Sequence, residues 1–121
     1  AYALAITRFH GIARQMALYM QDCDVILTPT LTQLPVPLGT LSMDGDFVSF
    51  RRKAGRYTAF LAIINASGQP AASLPLNWTA QGLPVGAQLI GRFGAEDTIL
   101  RLSAQIERAN PWVQRYAALA T

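Results

Sequence analysis

The sequence is poor in residues that commonly act as nucleophiles, bases or metal ligands. Its 121 residues include one cysteine, one histidine and one lysine. Cys23 has no second cysteine for an internal disulfide, and one cysteine with one histidine cannot supply the three protein ligands of a catalytic zinc site. No serine stands in a Gly-x-Ser-x-Gly motif. We therefore predict no metal site, no cofactor and no complete catalytic centre within this chain.

Charged residues are also scarce, at 14% of the sequence against roughly 25% in average domains. No apolar run approaches the ~18 residues of a membrane span, and the first residues lack the basic part of a signal peptide. The only basic cluster, RRKAGR at 51–56, includes Lys53 and is too short and too poor in aromatics for a nucleic-acid site. We predict a cytoplasmic protein that binds neither nucleic acid nor membrane.

Hydrophobic periodicity and turn residues predict three helices and three strands. The helices are predicted at 2–21, 53–64 and 95–108, and the strands at 24–28, 70–75 and 84–90. The last two strands are expected to form an antiparallel hairpin. The order α-β-α-β-β-α predicts an α/β fold with a mixed sheet covered by helices. The chain opens as if already inside a helix, and it has too few polar residues to cover a small domain. We therefore expect 1–121 to be a single partial domain.

Three local predictions accompany these elements. His10 lies off the apolar stripe of the first helix and is expected to be exposed. Residues 31–47 are predicted to be a long loop, in which Asp44 and Asp46 form a solvated pair at a turn. The stretch YTAFLAII at 57–64 is apolar nearly all round, which predicts a helix buried on several sides.

Two motifs near the end of the chain carry a resemblance to a known family. NASGQPAASLP at 65–75 has the form Asn-x-x-Gly-x-Pro-Ala-x-Ser-x-Pro, and GLPVGAQLIG at 82–91 has the form Gly-Leu-Pro-Val-Gly-x-Gln-x-x-Gly. DVILTPT at 24–30 resembles a strand end of the same family. Over roughly 1–112 the chain resembles the C-terminal part of amidase signature enzymes, and it is similar to the A subunit of glutamyl-tRNA amidotransferase.

The resemblance implies an enzyme activity whose catalytic residues are not among the residues of this sequence. Amidase signature enzymes hydrolyse carboxamides with a Ser–cis-Ser–Lys triad, and the stretch that carries this triad is not in the present sequence. The resemblance thus implies the C-terminal segment of an amidase that acts on a small, mostly apolar carboxamide, with the isolated chain inactive. The alternative is a non-catalytic binding or scaffold module that keeps the architecture without the triad.

Five residues are predicted to lie on the substrate side: Thr28, Thr30, Thr58, Asn65 and Trp78. The two threonines of the first strand stand at its end, where ligands usually bind in α/β sheets. Asn65 either bonds backbone groups at the helix end or contacts substrate, and Trp78 either packs at the rim or forms a pocket wall. In the similar amidotransferase, an Asp occupies the position of Thr58 and binds the α-amino group of glutamine. The neutral threonine predicts amides without a free α-amino group.

A second set of residues is predicted to be structural: Gly68, Pro70, Gly82, Pro84, Gly86 and Gln88. The first two make a sharp entry from helix to strand. Gly86 within a strand indicates a close backbone approach or a bulge. Because the surfaces that a larger amidase would cover remain apolar, we also expect a homo-oligomer.

Overall fold

The computed structural model describes the backbone of residues 1–117 and the side chains of 1–115. The helices are α1 (Tyr2–Tyr19), α2 (Phe47–Tyr57), α3 (Ala62–Ser67), α4 (Glu96–Ala109) and α5 (Val113–Ala117). The strands are β1 (Val25–Pro29), β2 (Ala71–Trp78) and β3 (Pro84–Gly91). The α/β class and the β2–β3 hairpin are confirmed. The short helix α5, which follows Pro111, was not predicted.

The sheet has the order β1-β3-β2, and both pairings are antiparallel. The prediction of a mixed sheet is therefore wrong for the described residues. The chain does return from β1 through helices to β2 in the same direction, as in a parallel unit. The hairpin, however, places β3 between these two strands, so the parallel pair never becomes hydrogen-bonded. β2 also carries an irregularity between Pro75 and Asn77, where the register shifts by one residue.

The predicted helix at 53–64 is wrong in two ways, because it begins earlier and is split in two. Asp46 caps α2, and its Oδ2 accepts a 2.7 Å hydrogen bond from the Ser49 amide. Thr58 caps the end of α2, directly after Tyr57, and its amide and hydroxyl both donate to the Ala54 carbonyl at 2.9 Å. The predicted loop is correspondingly one residue shorter, and Asp46 is a helix cap rather than part of a merely solvated pair.

The two faces of the sheet have separate cores. On one face α1 and α3 pack against β1 and β3, and the buried residues are Met16, Met20, Ile64 and Ile90. On the other face α4 packs against the hairpin around Leu74, Leu89 and Ile99. Because side chains alternate along a strand, Ile26, Thr28, Gln88 and Ser73 lie on the first face.

Large apolar side chains remain exposed on α1 and α3, the two helices that pack on the first face. His10 is exposed as predicted, but Tyr2 and Tyr19 of α1 are also exposed, at 80% and 72%. The prediction that 57–64 is buried on several sides is wrong, since Ile63 is 46% exposed and only Ile64 is buried. No helix of the described residues is long and apolar enough to cross a membrane.

Candidate functional site

A pair of hydroxyl groups meets across the middle strand of the sheet. Thr30 follows β1 and Ser73 lies in β2, and their Oγ atoms are 2.6 Å apart. Gly86 of β3 stands between them, and a Cβ at this position would lie 2.8 Å from Thr30 Oγ1 and 2.9 Å from Ser73 Oγ. The Thr30 amide also donates to the Gly86 carbonyl at 3.1 Å. The close approach predicted at Gly86 is therefore present, and it allows the two outer strands to bond side chain to side chain.

Gln88 makes the next polar contact along the same face. Its side chain is buried, and Nε2 donates to Thr28 Oγ1 at 3.1 Å and to the Phe60 carbonyl at 3.4 Å. The Thr28 hydroxyl in turn donates to the Pro29 carbonyl at 3.0 Å. Gln88 thus joins β1 to the turn between α2 and α3. It fixes the segment 58–61 over the sheet.

An apolar groove of about 710 Å³ opens between α1 and α3, and we call it the α1–α3 groove. Its walls are formed mainly by apolar side chains together with the polar Gln15: Ile12, Gln15, Met16, Tyr19, Ala59, Ala62, Ile63 and Ala66. Ile26 and Ile90 form the floor, and Thr28 and Phe60 lie at the end nearest Gln88. None of the described residues that line the groove is charged.

The predicted substrate-side residues are distributed over different places. Thr28 lines the α1–α3 groove, while Thr30 lies further along the same face in the hydroxyl pair. Thr58 is half-buried directly before the groove residues of 59–60, and its hydroxyl donates within its own helix. Asn65 is exposed on α3. Of the five residues, only Thr28 lines the α1–α3 groove.

Trp78 stands away from this cavity. It ends β2, seven residues beyond Ala71, whose strand partner Ile90 lies in the groove floor. The Arg115 guanidinium lies 5.8 Å from the centre of the Trp78 ring.

The structural motif residues shape the turns around the site. Gly68 has φ +79° and ends α3 in the left-handed conformation that glycine adopts readily. The Pro70 carbonyl accepts a 2.9 Å hydrogen bond from the Gly91 amide, which starts the pairing of β2 with β3. Gly82 also has positive φ, in the hairpin turn that precedes Pro84. The sharp entry from helix to strand predicted for this motif is thus present.

Arg92 positions α1, a role that no local feature of the sequence indicates. Its Nε donates to the carbonyls of Met20 and Cys23, both at 3.1 Å, and its Nη2 donates to Gln21 at 3.3 Å. Nη2 also lies 3.2 Å from Asp24. The last turn of α1 has no basic residue of its own, so Arg92 supplies the positive charge that a helix C-terminus favours. Its partners are about 70 residues away in sequence, which is why periodicity and spacing missed it.

The described residues offer hydrogen-bonding groups but no activated nucleophile. Ser73 pairs with a threonine hydroxyl, and Ser67 is buried with its Oγ donating to the Ile63 carbonyl at 2.7 Å. Neither contacts a base, and Lys53 is exposed on α2. The Ser42 hydroxyl does donate to Asp44 Oδ2, at 2.6 Å, but both residues are exposed in a turn. This face presents the uncharged hydrogen-bonding groups of Thr28, Thr30 and Ser73 near the α1–α3 groove.

Comparisons with known proteins give one family. The family model described as Amidase matches residues 1–100. The 6-aminohexanoate-cyclic-dimer hydrolase of Pseudomonas sp. is 36% identical over 98 residues, which are 76% of this chain and 20% of that protein.

Solved structures give the same result. A structure of 6-aminohexanoate cyclic dimer hydrolase has a TM-score of 0.78 at 32% identity, over 88% of this chain and 23% of that one. The glutamyl-tRNA(Gln) amidotransferase structure from Thermotoga maritima, which is of the A subunit, has a TM-score of 0.72 at 26% identity, over 93% of this chain and 23% of that one. The chain spans about a fifth to a quarter of the length of the proteins it matches.

Proposed function

The chain belongs to the amidase family, and from that premise we propose that it is the C-terminal segment of an amidase that hydrolyses carboxamide C–N bonds. The observation that carries the proposal is a match over 76% and 88% of the chain to proteins about four times as long. In this proposal the Ser–cis-Ser–Lys triad belongs to the remainder of the enzyme. Ser67 and Ser73 contact no base, and the Ser42 hydroxyl, which donates to Asp44 Oδ2 at 2.6 Å, lies in an exposed turn. These observations on the described residues support that division.

The segment's contribution is to bind and orient substrate rather than to attack it. The first face of the sheet presents uncharged hydrogen-bonding groups, Thr28 and the Thr30–Ser73 pair, next to an apolar groove. A small, mostly apolar carboxamide needs this combination, since its carbon part favours burial while its amide needs hydrogen-bond partners.

A chimera tests the proposal directly. The matching segment of the Pseudomonas sp. hydrolase is replaced by this chain, and hydrolysis of the 6-aminohexanoate cyclic dimer is measured. We expect the chimera to be active and the 121-residue chain alone to be inactive, because the nucleophile and its base act only when together. The hydrolase rejoined to its own segment through the same junctions is the control.

Two results would contradict the proposal. Saturable amide hydrolysis by the isolated chain would reveal a nucleophile within it. A folded but inactive chimera, beside an active control, would favour the scaffold alternative.

We further propose that the amidase takes substrates without a free α-amino group. Thr58 is neutral, and its hydroxyl proton is already donated to the Ala54 carbonyl at 2.9 Å. Its hydroxyl oxygen can accept one hydrogen bond from an ammonium group, but it lacks the negative charge with which a carboxylate would pair.

The chimera and its Thr58→Asp variant test this point with glutamine and butanamide as paired substrates. We expect the chimera to prefer butanamide, and the variant to shift the ratio of kcat/KM toward glutamine. Efficient use of glutamine by the unaltered chimera would show that another residue binds the ammonium.

A further inference from the structure

The turn before α2 contains an aspartate followed directly by a glycine. Asp44 precedes Gly45, and the sequence has no other Asp-Gly pair and no Asn-Gly pair. When the nitrogen of the residue after an aspartate attacks the Cγ of that aspartate, a cyclic imide closes and one water leaves. A glycine in the second position hinders this closure least, because it has no Cβ and its backbone rotates freely. Whether the pair reacts then depends on whether the fold lets the two atoms meet.

The structure leaves this pair unrestrained by packing. Asp44 and Gly45 are both exposed, and a Cβ added at Gly45 would meet no atom within 4 Å. The two residues lie outside the helices and strands, so no regular hydrogen-bond ladder fixes their backbone. The Gly45 amide makes no hydrogen bond to any of the described residues. Its nitrogen is therefore free to approach Asp44 Cγ.

The other four aspartates lack these features, and none of them is followed by glycine. Asp24 and Asp46 directly precede a strand and a helix, and Asp97 lies within α4. The regular backbone of these elements holds the following amide in place. Asp22 is followed by Cys23, whose amide already donates a hydrogen bond. These four residues are therefore controls within the same chain.

One side chain restrains the Asp44 carboxyl. The Ser42 hydroxyl donates to Asp44 Oδ2 at 2.6 Å and accepts from the Asp44 amide at 3.1 Å. These two bonds hold the carboxyl beside the residue that precedes it, and the bond to Oδ2 must open before Cγ can turn toward the Gly45 nitrogen. Because Ser42 and Asp44 are exposed, the restraint is that of one ordinary hydrogen bond.

We propose that Asp44–Gly45 is a site of spontaneous isomerisation to isoaspartate, and that Ser42 slows this reaction. In the first step the Gly45 nitrogen bonds to Asp44 Cγ, and the proton of the nitrogen leaves with the hydroxyl of the protonated carboxyl as water. Water then opens the imide. Attack at Cγ restores aspartate, whereas attack at the other carbonyl gives isoaspartate, whose main chain runs through Cγ and whose α-carboxylate is free. The sequence of steps consumes no oxidant or reductant and leaves the mass unchanged.

Peptide mapping of the aged 121-residue chain tests the proposal. Trypsin releases residues 15–51 as one peptide, which contains Asp44 together with the controls Asp22, Asp24 and Asp46. The folded chain is aged near neutral pH in heavy-oxygen water, and electron-transfer fragmentation locates both isoaspartate and the incorporated oxygen. We expect isoaspartate and one heavy oxygen at residue 44, and neither at the control aspartates.

Three variants separate the contributions of the glycine and the serine. Gly45→Ala should slow isomerisation roughly tenfold, because the added methyl group crowds the closing ring and restricts the backbone. Gly55→Ala is the matched control, since this glycine of α2 also has no atom within 4 Å of an added Cβ, and it should leave the rate unchanged. Ser42→Ala frees the carboxyl and should accelerate the reaction roughly two- to fivefold, as expected for the loss of one exposed hydrogen bond.

Each remaining outcome overturns part or all of the inference. An aged chain without isoaspartate at residue 44 refutes the site, and equal amounts at the control aspartates mean that the turn has no special reactivity. An unchanged or lower rate in Ser42→Ala refutes the restraint by Ser42. Because mass and fragmentation record the modification without any amide turnover, the result is independent of the proposed amidase function.

Discussion

At the scale of single residues, Gly86 is important because the absence of a Cβ atom leaves space for two hydroxyl groups. The Thr30 and Ser73 hydroxyls meet over this position, and both would lie within 3 Å of a Cβ atom there. Two outer strands of an antiparallel sheet do not normally touch, since the middle strand's side chains separate them. The glycine thus links the ends of β1 and β2 on the face that carries the groove.

Replacing this glycine gives the first prediction. Gly86→Ala should destabilise the chain by roughly 1–3 kcal/mol in urea denaturation, because one hydroxyl pair and the backbone must shift. Gly11→Ala is the control, since no atom lies within 4 Å of its added Cβ in the interior of α1. It should stabilise by about 0.5–1 kcal/mol. Equal stability of the two variants would show that the close contact carries no strain.

The same residues show what local sequence can and cannot predict. A glycine inside an apolar strand pattern indicates close approach, so the role of Gly86 could be predicted without its partners. Arg92 has an equally specific role at the end of α1, but nothing around it in the sequence indicates that role. Its hydrogen-bond acceptors are main-chain carbonyls of residues 20–23, which any sequence would supply.

At the scale of elements, the helices were harder to predict than the strands. Sequence periodicity predicts a single helix for the apolar run 59–64 and the basic run before it, because both fit a helical period. In the structure Thr58 ends α2 by bonding back to Ala54, and Gln88 then holds the Phe60 carbonyl outside any helix. A tertiary contact with β3 therefore helps set the break, and sequence periodicity cannot contain it. The hairpin was predictable because its turn residues are local.

The cap of α2 gives a prediction about pH. The Ser49 amide, followed by the Ser49 hydroxyl, holds the pKa of Asp46 below its ordinary value. A lowered folded-state pKa means that the stabilisation is complete above the ordinary value and is lost as the pH falls through the folded-state pKa. The amide shift of Ser49 should titrate with a midpoint below ~3.9 in NMR. It should be flat in Asp46→Asn, which keeps an acceptor without the charge. A midpoint at or above the ordinary value would contradict the cap.

The end of α1 gives a prediction about geometry rather than charge. Arg92→Lys keeps the positive charge but loses the planar guanidinium group, whose Nε and Nη2 donate to several carbonyls at once. We expect a loss of roughly 1–2 kcal/mol, at the low side for charge-assisted hydrogen bonds because the side chain is half-exposed. Amide hydrogen exchange should also quicken in the last turn of α1.

A matched arginine tests that interpretation. Arg101 pairs with Asp97 one turn away on the surface of α4. Arg101→Lys should change stability by less than ~0.5 kcal/mol, since exposed pairs contribute little. Equal losses for the two variants would mean that the carbonyl contacts of Arg92 contribute nothing.

At the scale of the whole molecule, composition predicted the surface better than it predicted the topology. A chain with 51% hydrophobic and 14% charged residues cannot cover a small domain with polar atoms. The structure accordingly exposes Leu4, Leu18 and Tyr19 of α1 and Phe47 of α2. The strand order, in contrast, depends on where β3 inserts, and composition carries no information about that.

The exposed side of α1 gives the last prediction, which is self-association of the isolated chain. Leu4 and Leu18 are 58% and 63% exposed, and their spacing of fourteen residues places them within ~40° of each other around the helix. The two leucines lie about 21 Å apart along α1, so they are two separate exposed apolar contacts that a second copy of the chain could cover. Sedimentation velocity at rising concentration should therefore show dimers or larger species. Leu4→Lys with Leu18→Lys should reduce the association, whereas Leu100→Lys on α4, at a similar exposure of 68%, should not. A monomer at every concentration would mean that exposed leucines of α1 do not suffice, and equal effects of all three lysines would place the contact elsewhere.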